Sequence, residues 1–275
     1  MKIDVHVHAT LEKSDVQLSG PVVDCTTLVG HLRAQGIGRA VLMASAEEDD
    51  RPMSNAEMRE IVRRHPDFYA WMGVVDPARP EGLAERVRAL RLAGAVGVGE
   101  FFLPRTVRMD DPGMEALYAA CEAEGLPILF HASVNEGDTY GFVDRPGFPV
   151  LEDVLRRYPR LVLIGHSWPF WEEVGGRVPE LMRRYPNLWA DVSAKSGSHG
   201  VMHDPELGRR FLEEFSDRVL FGTDTIRETQ VFPLGAWLDG EVEAGRLSKA
   251  AYGRVCEGNA RRLFTGIDIP VGPQV

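Results

Sequence analysis

The 275-residue sequence predicts an α/β fold, a single-domain (β/α)8 TIM barrel spanning residues 1–275. Eight short runs rich in β-branched and aromatic residues recur along the chain, and segments with helical patterning separate them. The predicted strand ends follow one another at steps of 24 to 37 residues, the size of a βαβ unit. No GxGxxG turn follows the first strand. These observations favour a closed barrel over the alternative, a doubly wound open sheet.

The first predicted strand lies in the segment MKIDVHVHAT. Its aliphatic residues alternate with Asp4, His6 and His8, which predicts one apolar and one polar face. Buried polar groups cost free energy unless they are satisfied. We therefore expect the polar face to point to the barrel axis and to meet other polar residues there. Asp4 lies deeper on this face and is expected to support the site without being a ligand.

The remaining strands and the helices follow in regular order. The later strand runs are RAVLMAS, FYAWMGVVD, AVGVGEFF, PILFHAS, LVLIGHS, LWADVS and RVLFGTD. The helical segments are CTTLVGHLRAQG, NAEMREIVRRH, EGLAERVRALRLAG, GMEALYAACEAEG, VLEDVLRRY and DPELGRRFLEEF. Several of these end with glycine, arginine or histidine, as helix C-termini often do. The Gly- and Ser-rich segment DVSAKSGSHG after strand seven predicts a loop, either a mobile lid or an ordinary connection.

Composition narrows the class of function. The formal net charge is −10 and no basic run occurs, which argues against a nucleic-acid or membrane-surface partner. No apolar run is long enough for a transmembrane helix. The three cysteines are far apart and include no CxxC pair, so a disulfide framework is not expected. We expect a cytoplasmic protein with a small-molecule substrate, and a homodimer is the assembly that we consider.

Six titratable residues fall at the C-terminal ends of the predicted strands, where barrels carry their functional residues. They are His6, His8, Glu100, His131, His166 and Asp224. A single histidine at a strand end is usually a hydrogen-bonded structural residue. Six such groups at one barrel mouth would repel one another or stay unsatisfied, and a divalent cation removes that conflict. We therefore predict a metal site, with both histidines of the first strand reaching one ion.

The same segments carry a family resemblance. In chain order, DVHVH, GEFF, LFHAS, LIGHS, LFGTD and GNARRLF resemble the amidohydrolase superfamily. Within it they resemble the amidohydrolase 2 family of non-oxidative decarboxylases and small-molecule hydrolases. The resemblance spans nearly the whole chain and implies a zinc-like ion held by His6, His8, His131 and Asp224. It also implies that His166 is a second-site ligand or a catalytic acid/base, and that Asp224 accepts a proton from water or holds it.

Strand four departs from the superfamily pattern. Many members carry a carboxylated lysine there that bridges two metals, whereas this chain has Glu100 and no lysine nearby. We expect Glu100 to be a direct ligand; the alternative is a partner that orients a metal-binding histidine. The expected cofactor is one or two Zn²⁺ ions, with Mn²⁺ as the alternative. Ser193 and Asp191, near the end of strand seven, are not among the predicted site residues.

The loops after the strands supply candidates for substrate binding. Arg227 and Arg105 could bind a carboxylate beside the metal, because guanidinium groups bind such anions bidentately. Phe102 and Trp168 could line a pocket for a flat substrate. The alternatives are a surface position for each arginine and packing for each aromatic residue.

Four functions fit these residues. The leading hypothesis is a metal-dependent hydrolase acting on a small ester, lactone or amide through metal-activated water, with Asp224 and His166 as catalytic residues. A decarboxylase or hydratase of the same family is the second. A two-metal phosphoesterase is the third. A non-enzymatic metal-binding barrel is the fourth, although structural metal sites need no spare acid/base group.

Overall fold

The computed structural model describes residues 1–14, 21–101, 107–133, 142–167 and 176–267. Within these ranges, eight parallel strands form one sheet whose order follows the chain. The strands are β1 (Lys2–Val7), β2 (Ile37–Met43), β3 (Tyr69–Gly73), β4 (Gly97–Val98), β5 (Ile128–Phe130), β6 (Leu163–Gly165), β7 (Leu188–Asp191) and β8 (Val219–Leu220). The predicted (β/α)8 barrel is confirmed.

The two ends of the sheet meet through backbone hydrogen bonds. The N–H of Val5 in β1 donates to the carbonyl of Phe221, directly after β8, at 3.0 Å. Farther along, the N–H of Asp224 donates to the carbonyl of His6 at 2.8 Å, and the N–H of His8 donates to the carbonyl of Thr225 at 2.9 Å. These bonds nearly close the barrel and place the segment after β8 beside the end of β1.

Helices follow the strands and cover the outside of the barrel. They are Cys25–Ala34, Asn55–Arg64, Leu83–Leu92, Pro112–Glu124, Pro149–Arg157, Arg177–Arg184, Ala194–Met202, Pro205–Glu214, Leu234–Glu243, Lys249–Gly253 and Asn259–Leu263, with a π-helical turn at Arg254–Gly258. All six predicted helical segments are present, with ends within two residues of the prediction. Across the described ranges, no helix has the length and apolar character needed to cross a membrane.

The segment after β7 differs from the prediction, because it is a helix and not a loop. It spans Ala194–Met202 and includes Gly197, a residue that normally weakens helices. A Cβ atom at Gly197 would lie 2.9 Å from the carbonyl carbon of Val192 and 3.1 Å from Cα of Ser167. The glycine therefore lets the helix approach the ends of β6 and β7, so tertiary packing outweighs intrinsic propensity here.

Strand β1 departs from regular alternation in its second half, where its register against β2 shifts before Val7. Ile3 and Val5 pack in the apolar cluster inside the barrel, whereas Val7 packs in the cluster between the strands and the helices. The expectation that the aliphatic residues of β1 point away from the barrel axis therefore holds at Val7 and is wrong at Ile3 and Val5. Irregular pairing of this kind bends a strand and redirects its side chains, and here it accompanies the placement of His6 and His8 at the barrel mouth.

A small second sheet at the carboxyl end of the barrel joins the loops after β4 and β5. Its parallel strands are Val107–Arg108, Ala132–Ser133 and Phe142–Val143. The ring of Phe142 stacks on that of Phe101 with centroids 4.9 Å apart, and its N–H donates to the carbonyl of His131 at 2.7 Å. The sheet thereby holds the backbone next to Glu100 and at His131.

Replacing Asn187 by leucine should lower the free energy of unfolding by about 2–3 kcal/mol. The Asn187 amide is buried before β7 and donates to three carbonyls, those of Leu155, Tyr158 and Leu161, at 3.0 to 3.2 Å. Leucine removes this donor from all three carbonyls, and among the described residues only that of Tyr158 keeps another, the N–H of Leu161 at 3.1 Å. Urea unfolding measures the change. Leu92→Ala is the control, because Leu92 is 75% exposed and should change stability by less than about 0.5 kcal/mol; equal effects would contradict the prediction.

Candidate metal and active site

The six predicted residues come together at the carboxyl end of the barrel. His6 lies within β1, and the others lie in the loops that directly follow the strands: His8, Glu100, His131, His166 and Asp224. Their side chains are mostly buried, from 0% exposed for His6 to 28% for Asp224. Parallel strands produce this arrangement because their carboxyl ends share one rim of the barrel.

His6 lies at the centre of the cluster. Its Nε2 atom lies 3.3 Å from Nε2 of His8 and 3.2 Å from Oε2 of Glu100. Oδ1 of Asp224 lies 3.8 Å from His6 Nε2 and 3.2 Å from His8 Nε2. Two imidazole nitrogens and two carboxylate oxygens thus lie around one small volume.

These separations fit a divalent cation. Ligand atoms about 2.1 Å from a tetrahedral zinc ion lie about 3.4 Å apart. The Nε2 atoms of His6 and His8 lie 3.2 to 3.9 Å from each other and from the nearest oxygens of Glu100 and Asp224. Imidazole nitrogen with carboxylate oxygen is also a donor set that zinc and manganese accept. The residues present could therefore hold such an ion.

Glu100 faces a second group with its other oxygen. Oε1 of Glu100 lies 3.2 Å from Nδ1 of His131 and 3.9 Å from Nε2 of His166. One ligand atom from each of Glu100, His131 and His166 lies within 4.8 Å of the other two. The family resemblance implied that His131 shares an ion with His6, whereas the geometry groups His131 with Glu100 and His166. Glu100 joins the two groups.

Asp191 and Ser193 belong to the site although they were not predicted as site residues. Oδ2 of Asp191, at the end of β7, lies 3.2 Å from Nδ1 of His6 and 3.3 Å from Nδ1 of His166. Oγ of Ser193 lies 2.9 Å from the same nitrogen of His166. The signal was the position of DVS at the end of a barrel strand, on the same rim as the six predicted residues.

Asp4 supports the backbone of the site, as the sequence predicted. Its carboxylate accepts the N–H of His6 at 3.1 Å, the N–H of Thr223 at 2.9 Å and the Thr223 hydroxyl at 2.6 Å. Burial raises the pKa of Asp4 to about 7 despite these hydrogen bonds. Asp224, the residue after Thr223, has a φ of 60°, a left-handed conformation that aspartate adopts more readily than most residues. Asp4 thus ties β1 to the turn that presents Asp224.

The charges of the cluster also favour a cation. Burial alone would lower the pKa of His6, but its contacts with Asp191 and Glu100 raise that pKa well above the usual value. Burial would raise the pKa of Glu100, but His166, His131 and His6 hold that pKa well below its usual range. The Glu100 carboxylate therefore remains ionised beside positive charge, which the histidines supply when protonated and which a bound divalent cation would supply in their place.

The predicted substrate-binding residues are only partly described by the structure. Phe102, Arg105 and Trp168 lie outside the described residues. Arg227 is half-buried in the loop after β8, three positions beyond Asp224, and its N–H donates to the side-chain oxygen of Gln230 at 2.8 Å. The loop therefore places Arg227 near the rim, and its contact with a substrate is a proposal.

Barrel and site together define a class of protein: an α/β-barrel enzyme whose polar residues at one rim could hold a divalent cation. The family model described as amidohydrolase matches residues 3–266. The chain belongs to the amidohydrolase family, and it is accordingly a metal-dependent enzyme of the hydrolase or decarboxylase kind. No curated protein sequence shows a significant match.

Solved structures share the fold at low sequence identity. An uncharacterised TIM-barrel protein from Bordetella bronchiseptica has 16% identity and a TM-score of 0.70, over 97% of this chain and 99% of that chain. The manganese complex of 5-carboxyvanillate decarboxylase from Novosphingobium aromaticivorans has 17% identity and a TM-score of 0.67, over 96% of both chains. A probable 2-pyrone-4,6-dicarboxylic acid hydrolase from Acinetobacter baumannii has 15% identity and a TM-score of 0.62, over 96% of this chain and 98% of that chain. These similarities establish the barrel.

Proposed function

We propose that this protein is a hydrolase that cleaves a small ester, lactone or amide with the help of a bound divalent cation. The observation that carries the proposal is the position of Asp224 between two histidines. Its Oδ1 lies 3.2 Å from Nε2 of His8, and its Oδ2 lies 3.9 Å from Nε2 of His166. A carboxylate in this position can take a proton beside the metal ligands and pass it towards a buried imidazole.

Each residue has a role in the proposed reaction. His6, His8, Glu100 and Asp224 would hold the ion, with His131 and His166 available for a second one. The cation, when bound, would lower the pKa of water and polarise the substrate carbonyl. Asp224 would accept the proton of the attacking water, because it is the most exposed carboxylate among these residues at 28%. His166 would then protonate the leaving group.

Zn²⁺ is the proposed ion, and Mn²⁺ is the alternative. Histidine and carboxylate ligands suit both, and the structurally similar decarboxylase was solved with manganese. A carboxylate-bearing substrate is proposed because the structurally similar hydrolase is named for a dicarboxylic acid and was solved with citric acid bound. Arg227, together with Arg105, Phe102 and Trp168, would contact it.

Non-oxidative decarboxylation is the second candidate function. It is supported by the barrel's similarity to 5-carboxyvanillate decarboxylase and by the buried His166, which could deliver a proton to the carbon that loses carbon dioxide. This reaction uses the same residues as hydrolysis but consumes no water, so the two candidates can be separated by isotope labelling.

Turnover in oxygen-18 water should distinguish the candidates. The zinc-loaded enzyme is screened against aryl esters, lactones, amides, hydroxybenzoates and an aryl phosphate, and products are analysed by mass spectrometry. We expect one oxygen-18 atom in the carboxyl group of each new acid, because water attacks the carbonyl carbon. The chelator-treated enzyme is the control and should be inactive until zinc is returned. Release of carbon dioxide from a hydroxybenzoate, without turnover of esters, lactones or amides, would overturn the hydrolase proposal.

A further inference from the structure

Asp191 is fully buried at the end of β7 and has no role in the reaction proposed above. Its Oδ1 accepts three hydrogen bonds: from the N–H of Ser167 at 2.9 Å, the N–H of Ser193 at 3.0 Å and the Ser193 hydroxyl at 2.5 Å. Two of these donors are backbone amides whose positions are fixed by the ends of β6 and β7. A side chain at position 191 must therefore place a hydrogen-bond acceptor where Oδ1 lies.

The other oxygen of Asp191 faces two imidazole rings. Oδ2 lies 3.2 Å from Nδ1 of His6 and 3.3 Å from Nδ1 of His166. The Ser193 hydroxyl lies 2.9 Å from the same nitrogen of His166, and because it gives its own proton to Oδ1 of Asp191 it can only accept there. With a cation bound on the Nε2 side of the rings, each of these Nδ1 atoms would carry the proton, because the Asp191 carboxylate can only accept a hydrogen bond. A neutral imidazole with its proton on Nδ1 has its lone pair on Nε2. In both rings, Nε2 is the atom that faces Glu100 and Asp224.

We propose that Asp191 is a positioning residue that fixes His6 and His166 together in the Nδ1-protonated tautomer. One oxygen atom thereby directs two Nε2 lone pairs into the barrel mouth. This inference rests on the proposed function, because it takes His6 as a metal ligand and His166 as the acid/base. A shared acceptor also links the two roles: a change at Asp191 must alter both rings at once.

Replacing Asp191 by asparagine should reverse the tautomer of both rings. The N–H groups of Ser167 and Ser193 require the amide oxygen in the place of Oδ1, so the amide NH₂ must face the imidazoles. Both Nδ1 atoms then become acceptors, and the protons move to Nε2. Asp191→Ala removes the acceptor but imposes no tautomer. The asparagine variant should therefore bind Zn²⁺ about 10- to 100-fold more weakly than the wild type, and more weakly than the alanine variant.

A role in packing alone predicts the opposite order, because alanine leaves the larger cavity. Zinc affinity is measured by titrating the metal-free proteins with Zn²⁺ against a chromophoric chelator. Asp144→Asn is the matched control: Asp144 is a buried carboxylate that accepts three backbone N–H groups at 2.6 to 3.2 Å, and no histidine is among these donors. It should leave zinc affinity unchanged.

Nitrogen NMR of metal-free protein labelled with ¹⁵N-histidine tests the tautomers directly, at an alkaline pH above the raised pKa of His6 and of His166, where both rings are neutral. His6→Gln and His166→Gln assign the two signals. The wild type should carry both protons on Nδ1, and Asp191→Asn should carry both on Nε2. An Nε2 proton on either ring of the wild type would overturn the proposal, even if no Asp191 variant folds. So would an alanine variant that binds zinc more weakly than the asparagine variant.

The proposed function can fail separately. A wild-type enzyme that binds zinc and has the expected tautomers, but hydrolyses no ester, lactone or amide, contradicts the hydrolase proposal and leaves the role of Asp191 intact. Conversely, oxygen-18 incorporation by an enzyme with unchanged tautomers in Asp191→Asn supports hydrolysis and overturns the positioning role.

Discussion

Replacing Asp224 by asparagine should lower kcat by about 10²- to 10⁴-fold, the usual contribution of a positioned acid/base residue. Asparagine keeps the size of the side chain and an oxygen that can face His8, so the fold and much of the metal binding should remain. It cannot accept a proton, and the proposed transfer towards His166 is lost. The variant is assayed at saturating Zn²⁺, and its circular dichroism and metal content are measured beside the wild type.

Asp239→Asn is the matched control for this change. Asp239 is also partly exposed and accepts hydrogen bonds from Lys2 at 2.8 Å and from Tyr252 at 2.6 Å. Lys2 begins β1, so this pair lies at the opposite end of the barrel from His6 and His8. Its kcat should equal that of the wild type. Full activity in Asp224→Asn, with metal bound, would show that another group takes the proton.

The convergence of Glu100, His131, His166 and Asp224 could be predicted from sequence because it depends on one rule. Residues at the carboxyl ends of parallel strands share a rim once the barrel closes, and strand runs such as LIGHS and LFGTD mark those ends. The rule uses only the approximate end of each strand. It therefore holds although Asp224 lies four residues beyond the end of β8.

The contacts of Asp191 could not be predicted in the same way. It lies 185 residues from His6 and 25 from His166, and the hydrogen bonds that orient its carboxylate come from Ser167 and Ser193. No local pattern shows that one carboxylate will meet two distant rings. The register shift in β1 is equally hidden, because it depends on pairing with β2 and on packing against the helices.

The geometry of His6 distinguishes the two interpretations of Glu100, as a ligand or as an orienting partner. An orienting partner binds the ring nitrogen that faces away from the metal. In His6 that nitrogen is Nδ1, and Asp191 already binds it at 3.2 Å. Glu100 instead lies 3.2 Å from Nε2, the atom that also faces His8 and Asp224. Glu100 is therefore placed among the proposed ligands, with one oxygen towards each of the two groups.

Replacing Glu100 by glutamine should reduce the zinc bound per protein and lower kcat by at least about 10²-fold, because metal catalysis contributes several kcal/mol to the barrier. The amide has nearly the same shape, but it is uncharged and offers one oxygen in place of two. It can no longer face both histidine groups with an anionic ligand. Metal content is measured by elemental analysis after dialysis against metal-free buffer, and activity is measured with and without added Zn²⁺.

Glu241→Gln is the matched control, because Glu241 is a buried glutamate that binds Arg209 at 3.0 Å and Arg246 at 2.8 Å on the helix Leu234–Glu243. It should lose stability but keep its zinc. If Glu100 only orients a histidine, Glu100→Gln keeps the full zinc stoichiometry at saturation and loses only about 10- to 100-fold in affinity. That result would contradict direct ligation. A lower stoichiometry that excess zinc does not restore would require Glu100 as a ligand joining two ions.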